Sequence, residues 1–441
     1  MRLKFYINTL GCEKNTVDSE GAAGILMRAG HEPVDRPSQA DVIIVNTCGF
    51  INDAKEQSIE TIFDMVEVKK EDALLMVSGC LSQRYSNQLY KEMPEVDIFL
   101  GVNDYDKLPE ILEKHQAGKR EKYISDYDRI YAELGRRERS EAPYTASVKI
   151  SEGCNNVCSY CIIPFIRGGY RDRKMEEILN EIRQLAEEGC KEVVLIAQDV
   201  SNYGIDLYGS YKLPELLHEV CKIDGIHWVR LMYCYEERIT DELIQAMASE
   251  PKVCHYIDIP LQHCNDRILK EMNRCSTEAS IKDTIGRLRK AMPDIHIRTT
   301  MIAGLPGETK EEFAQLEKFV EDMKFERLGV FPYSKEEGTL AATMKGQVRQ
   351  QTKEKRRDAI MALQCSISLE HNQAKVGQVM EVLVEGQDED GSYIGRTRYD
   401  APDVDNGVLF TSSRQLEPGD FVEVEIIDAF DYDLVGREVE A

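Results

Sequence analysis

The segment KISEGCNNVCSYCIIP places Cys154, Cys158 and Cys161 in a C-x3-C-x2-C array directly after a run of strand character. Three thiolates on one loop can hold three irons of a four-iron cluster. Ferredoxin runs supply four cysteines, so this array leaves one iron without a protein thiolate. An open coordination position marks a site that does chemistry rather than one that only carries electrons. The competing reading is a structural zinc site with a fourth ligand elsewhere. The loop's place argues against it, because it follows the first strand of an alternating β/α segment, and such barrels carry their chemistry at the carboxyl ends of their strands.

Three further cysteines share one topological position. INTLGC, VNTCGF and VSGC put Cys12, Cys48 and Cys80 each at the end of an expected strand and before an expected helix. In a parallel sheet such ends lie on one edge, so the three thiols should converge. Each would face a helix N-terminus, which lowers a thiol's pKa and suits metal binding. Gly11, Gly49 and Gly79 beside them permit close backbone approach. One such cysteine alone is usually a core thiol; three at one position imply a second three-cysteine cluster. Cys190, Cys221, Cys234, Cys254, Cys264, Cys275 and Cys365 show no ligand-like spacing, and the odd total of 13 argues against a disulfide framework.

The elements that must position these residues fall into three segments, giving an α/β fold class. Residues 1–140 read as an N-terminal parallel α/β domain: LKFYIN, DVIIVN and ALLMVS alternate with helical stretches near Asp18–Ala29 and Ala54–Val68. Residues 141–372 carry the strands TASVKIS, EVVLIAQD, IHWVRLMY, HYIDIPLQ, IHIRTTMIAG and RLGVFPYS, separated by helices such as Met175–Glu188, Asp241–Ala248 and Thr277–Ala291. That succession implies a central (β/α) partial TIM-type barrel, closed by a helix over Thr352–His371. Residues 373–441 have no clear helix and read as a small all-β barrel.

The barrel's strand ends supply Gln198, Asp199, Arg230, Gln262, His263 and Arg298, polar at positions expected to face its mouth. His263 beside Cys264 reads as an ordinary satisfied histidine. Gly304, Pro306, Gly307 and Glu308 form a turn, GLPGE, into a helix.

The bulk numbers restrict the partners. No apolar run approaches the roughly 18 residues of a spanning helix, and the start lacks a signal peptide, so the expectation is a cytoplasmic protein without membrane contact. The net charge is -24. Nucleic-acid binders draw most of their affinity from neutralising phosphates, so a basic macromolecule is the better electrostatic match. Residues 374–441 hold five basic and 17 acidic side chains, a net of -12 and half the chain's total. Arg396 and Arg398, near Tyr399, are the pair that could still touch phosphate.

The first cysteine array, with Tyr160 in the aromatic position before its last cysteine, resembles the radical S-adenosylmethionine superfamily. The resemblance implies that the open iron chelates the cofactor's amino and carboxylate groups. One electron then cleaves the cofactor to a 5′-deoxyadenosyl radical that abstracts hydrogen from the substrate. The two cysteine sets and the final barrel together resemble the methylthiotransferase family over essentially the whole chain. That implies an N-terminal methylthiotransferase domain over 1–140, a radical barrel over 141–372 and a TRAM domain over 373–441. It also implies two 4Fe-4S clusters, one on Cys12, Cys48 and Cys80 holding the sulfur to be transferred, and S-adenosylmethionine as both methyl and radical source. Tyr160, Gln198, Asp199, Gln262, Gly304, Pro306 and Gly307 become cofactor-binding candidates. Arg230 and Arg298 become catalytic candidates for steering a target carboxylate.

The family has two branches. One modifies the β-carbon of an aspartate in small-subunit ribosomal protein S-twelve, the other an adenosine in tRNA. The acidic last segment and the stretches SEGCNNVCSYCIIPFIRGGYRDR and AQDVSNYGID favour the ribosomal-protein branch. The expected partners are then the basic protein S-twelve within the small ribosomal subunit and a flavodoxin or ferredoxin electron donor, with the enzyme a monomer. A non-catalytic, ribosome-binding iron–sulfur protein is the alternative of another class, and the cofactor-type loop on a full barrel argues against it.

Overall fold

The structure is a computed structural model that describes residues 2–439 apart from 117, 128, 130, 131 and 141. Its chain packs as two compact units that cut across the sequence segments. The first comprises Met1–Ala142, Ser147–Glu181 and Ser334–Ala342, the second Pro143–Ala146, Ile182–Tyr333 and Thr343–Ala441. All six cysteines of the two sets fall in the first unit.

The first unit is built on a parallel sheet of β1 (Lys4–Thr9), β2 (Glu32–Pro33), β3 (Val42–Thr47), β4 (Leu74–Ser78), β5 (Ile98–Leu100) and β6 (Glu121–Tyr123), in the order β2-β1-β3-β4-β5-β6. Its central strands are apolar on both faces. Ile43, Val45, Leu75, Val77 and Phe99 pack into one core layer, and Val42, Ile44, Met76, Ile98 and Leu100 into the other. That is the pattern of a sheet covered by helices on both sides. The covering helices include α1 (Glu13–Arg28), α2 (Asn52–Val68), α3 (Gly79–Glu92) and α4 (Leu108–Lys114). Helix α1 starts at Glu13, five residues before the expected Asp18, because its first turns are polar and carry no apolar period. Lys14, Asn15, Asp18, Ser19 and Glu20 are nevertheless buried, which already sets this helix end apart.

The second unit holds β10 (Glu192–Ile196), β11 (Trp228–Leu231), β12 (Val253–Asp258), β13 (His296–Ala303) and β14 (Arg327–Pro332); of β7 (Thr145–Lys149) only the first two residues belong to it, and the short pair β8 (Ser151–Glu152) and β9 (Arg171–Asp172) belongs to the first unit. The six-stranded sheet runs β7-β10-β11-β12-β13-β14. Each new strand is laid beside its predecessor, as right-handed βα crossovers require. It is a partial barrel, as expected: β7 and β14 stay unjoined as edges. The expected helices stand at Met175–Glu187, Asp241–Ser249, Glu278–Ala291 and Gln350–Gln373.

The last strands, β15 (Val379–Gln387), β16 (Tyr393–Thr397), β17 (Val408–Thr411), β18 (Phe421–Ala429) and β19 (Leu434–Glu438), close into a five-stranded barrel. Period-two alternation makes it acidic outside. In β18, Val422, Val424 and Ile426 fill the core while Glu423 and Glu425 point away from it.

Candidate iron–sulfur centres

The topology delivers the thiols as anticipated. Cys12 is the N-cap residue of α1, Cys48 follows β3, and Cys80 lies in the first turn of α3. The loops touch closely enough that glycine is needed between them. A Cβ on Gly11, at φ +99°, would lie 3.0 Å from Cys48 Cβ, and one on Gly79, at φ +89°, would lie 2.4 Å from the Thr47 carbonyl. The expected lowering of thiol pKa does not follow. Burial pushes Cys80 up to about 11 and raises Cys48 as well, with the Cys12 sulfur adding to both. Desolvation of a thiolate outweighs the helix end here.

Two polar residues that pattern reading passed over organise this set. Asn15 Nδ2 donates to the Leu10 carbonyl at 2.6 Å and the Thr47 carbonyl at 3.2 Å, tying together the loops of Cys12 and Cys48. Its Oδ1 accepts from Arg167 Nη2 at 2.7 Å, and the same Nη2 donates to Cys80 Sγ at 3.5 Å. Arg167 Nη1 donates to Asp18 at 2.7 Å and Glu152 at 3.1 Å, and Lys149 bonds both carboxylates from the other side. The only sequence signal for this group was the run of polar residues at the start of α1.

The second set sits on the loop after β8. Cys154 N–H donates to the Gly168 carbonyl at 3.1 Å, and Cys161 N–H to the Cys158 carbonyl at 3.1 Å, so backbone hydrogen bonds shape the loop. Backbone N–H groups of Asn156 and Ile163 point at the sulfurs of Cys154 and Cys161, each at 3.4 Å. Burial and the sulfurs of Cys158 and Cys154 raise the Cys161 thiol. Past Cys161 the chain turns into α5 (Pro164–Arg167), and Ile162 and Ile166 pack on Cys80. The two cysteine sets are therefore neighbours within one unit.

Among the described residues no three His, Cys, Asp or Glu side chains close on one point as a single ion requires. A four-iron cluster takes one thiolate per iron and asks for a wider triangle. An all-thiolate donor set, backbone donors aimed at sulfur and a cation at Cys80 suit that larger anionic group in each place.

In the second unit the carboxyl strand ends carry some of the expected residues. Gln198 follows β10; Asp199 is buried, accepting from Ser201 Oγ at 2.7 Å and paired with Arg238. Gln262 is held at φ +71°, with its N–H donating to the Thr300 carbonyl at 2.8 Å. Tyr233, after β11, has φ +62°. Two non-glycine residues in the left-handed region at adjacent strand ends are the strain expected where a backbone is held for function. His263 accepts the Asn265 N–H at 2.9 Å on Nδ1, and burial drives its pKa down to about 3, so it is a neutral core histidine. In the turn of Gly304, Pro306 and Gly307, the N–H groups of Gly304 and Leu305 donate to Glu308, and that of Gly307 to the Gly346 carbonyl. Arg356 pairs with Glu308 at 2.7 Å, so the turn spends its donors on itself.

Arg230 does not face the mouth, and Arg298 is taken up in carboxylate pairs. Arg230 is fully buried, and its Nε reaches back to Glu192, the first residue of β10, at 2.9 Å, while Nη1 donates to the Arg398 carbonyl. Arg298 pairs with Asp258 at 3.1 Å and Asp405 at 3.3 Å. Both side chains serve the fastening of the final barrel onto the strands. Glu192 also pairs with Arg396, Arg327 with Asp400, and Tyr256 donates to Asp405 at 2.6 Å. A long arginine can point either way along a strand: Arg230 runs back to Glu192 at the start of β10, whereas Arg298 meets Asp258 at the end of β12.

The same network removes the phosphate option for Arg396 and Arg398. Arg396 is 2% exposed and bound to Glu192 and Glu385, and Arg398 donates to the carbonyls of Pro251 and Val253. Lys375 is buried, Arg414 pairs with Glu438 and Arg437 with Glu425. Of the barrel's five cations only Arg414 and Arg437 are exposed, and each is paired with a carboxylate.

The loop, the partial barrel and the closed C-terminal barrel define a radical S-adenosylmethionine protein with an added β-barrel. Residues 148–320 match the Radical SAM superfamily, 376–439 the TRAM domain, and 4–101 the family described as Uncharacterized protein family UPF0004. The chain is 47% identical over 432 residues to the ribosomal protein uS12 methylthiotransferase RimO of Thermoanaerobacter sp. (strain X514), covering 98% of this chain and 99% of that protein. It is 48% identical over 448 residues to the RimO of Acetivibrio thermocellus, covering 100% and 99%. The chain belongs to the RimO family of ribosomal protein uS12 methylthiotransferases. Among solved structures, the radical S-adenosylmethionine methyltransferase TsrM of Kitasatospora setae shares the fold, with TM-score 0.55 and 13% identity over 75% of this chain and 73% of that one. No helix among the described residues is long and apolar enough to cross a membrane.

Proposed function

We propose that the chain methylthiolates ribosomal protein uS12 at the β-carbon of an aspartate side chain. The observation that carries this reading is the pairing of two three-cysteine sets within one compact unit. Cys154, Cys158 and Cys161 would hold one 4Fe-4S cluster, and Cys12, Cys48 and Cys80 a second. Bound there with S-adenosylmethionine, these groups supply one-electron hydrogen abstraction, a transferable sulfur and a methyl group. An unactivated C–H bond offers neither acidity nor a leaving group to acid–base catalysis, which is why such chemistry is called for.

The protein's own residues prepare the site. N–H groups of Asn156 and Ile163 stabilise thiolates at Cys154 and Cys161. Asn15 holds the loops of the other set in register. Gln198, Gln262 and Tyr160 are the residues we assign to binding S-adenosylmethionine, with Asp199 positioning its strand end through Arg238. The three parts of the chain keep their separate duties: sulfur supply over 1–140, radical chemistry over 141–372 and substrate docking over 373–441.

The acidic barrel, its two exposed arginines paired with carboxylates, supports a basic protein substrate over a tRNA hairpin, and uS12 within the small subunit is the form we favour. The enzyme acts as a cytoplasmic monomer that takes electrons from a flavodoxin or ferredoxin. Anaerobic turnover of the reconstituted enzyme on an equal mixture of uS12 peptide and tRNA hairpin tests the reading. Mass spectrometry should find a methylthio gain on the peptide aspartate; a gain on the hairpin alone would overturn the substrate assignment.

A further inference from the structure

Arg167 is the buried cation that touches a cysteine of the auxiliary set. It closes α5, six residues after Cys161, so one side chain links the loop of one set to a thiol of the other. Its surroundings divide into two. Nη1 faces the carboxylates of Asp18 and Glu152, and Nη2 faces Asn15 Oδ1 and Cys80 Sγ. An arginine that served only to neutralise a buried carboxylate would use both nitrogens on it, in the two-pronged geometry that guanidinium and carboxylate favour. Here the side chain gives half its donors away. Lys149 and Arg167 balance Asp18 and Glu152 in charge, so the quartet stands without any thiolate, and the donor at Cys80 is additional to it.

Hydrogen bonds to ligand sulfur and nearby positive charge both favour the reduced, more negative state of an iron–sulfur cluster and raise its potential. In a buried setting the effect is weakly screened.

We infer that Arg167 is a positioning residue for the auxiliary cluster: it fixes Cys80 as a ligand and holds that cluster at a more positive midpoint potential than it would otherwise have. The inference rests on the assignment of Cys12, Cys48 and Cys80 to a cluster. It gives the radical loop a direct hold on the sulfur-bearing site, since whatever shifts α5 shifts the donor at Cys80.

The test uses the full chain carrying Cys154→Ala, Cys158→Ala and Cys161→Ala, so that only the auxiliary cluster is read. Arg167→Met and Arg167→Lys are added to it separately. Iron per chain, circular dichroism and a redox titration followed by electron paramagnetic resonance are measured on each. Arg167→Met should move the midpoint to more negative potential and release iron faster to a chelator. Arg167→Lys, which keeps the charge but lacks the fork needed to serve Asn15 and Cys80 together, should fall between it and the parent. Equal midpoints in all three proteins overturn the inference. If Arg167→Met does not fold, because Asp18 and Glu152 lose a partner, Arg167→Lys decides alone, and a midpoint equal to the parent's overturns it. A parent without iron overturns the cluster assignment itself, and the two failures are thereby told apart.

Discussion

Arg167 in the first unit and Arg230 in the second are both fully buried and both bonded to carboxylates, yet their situations differ. Arg230 gives Nε to Glu192 and Nη1 to the Arg398 carbonyl while its Nη2 meets no hydrogen-bond partner among the described residues, and its neighbours Arg396 and Glu385 bring no thiol ligand or strained backbone of the proposed site. Arg167 belongs to a set that is left open on one side, where Asn15 and Cys80 stand. The first arrangement fastens a β-barrel to a sheet; the second presents a donor to a thiol. The lesson is that a buried arginine's role is read from what its spare nitrogens face, since the ion pair itself is common to both.

The comparison can be broken most severely at the cysteines. Replacing Cys154, Cys158 and Cys161 with alanine should abolish both cleavage of S-adenosylmethionine and methylthiolation. Replacing Cys12, Cys48 and Cys80 should abolish methylthiolation while cleavage persists, as liquid chromatography of the nucleoside product would register. Full methylthiolation by the second variant would leave Arg167 with nothing to tune.

Next in size is the fastening network. Arg396→Met leaves Glu192 and Glu385 with a lost partner, and breaking a buried pair costs about 3–5 kcal/mol. A denaturant titration should show that loss in the transition of the second unit, with iron per chain unchanged. Loss of iron in this variant would erase the distinction between the two networks.

Asn15→Ala sharpens the comparison from the other side. Removing an outer partner of metal ligands weakens metal affinity by about 10–100-fold, so a chelator competition should extract iron from the auxiliary set while the radical set holds its own. The smallest effect belongs to the exposed pairs of the final barrel. Arg414→Ala and Arg437→Ala should each change stability by no more than about 1 kcal/mol, and neither should alter the weak binding of a tRNA hairpin measured by fluorescence anisotropy. Affinity for a basic uS12 peptide should instead fall as salt is raised, since exposed charges carry it.

Much of this was legible beforehand. Cys12, Cys48 and Cys80 could be placed together because apolar runs ending in glycine and cysteine mark parallel strand ends, and the sheet does the rest. The alternation in FVEVEIID announced an acidic barrel surface. What escaped was direction. Arg230 and Arg298 stand in strands near polar loop residues, and nothing in the chain's spelling says that Arg230 runs back to Glu192 or that Arg298 is taken up by Asp258 and Asp405. Asn15 and Arg167 escaped for the opposite reason. Both belong to polar stretches that look solvated, and only the packing of α1 against α5's loop makes them interior. The thiol pKa of Cys80 was misjudged because the helix end was visible in sequence and its burial was not.

The most direct test of the central claim is a count of iron and sulfide per chain in the reconstituted wild-type protein and in the two triple-cysteine variants. Each variant should keep one cluster's worth of iron and lose the other, with Mössbauer spectra that differ between the two. A variant that lost all of its iron, or none, would contradict the assignment of two independent three-cysteine centres to one compact unit.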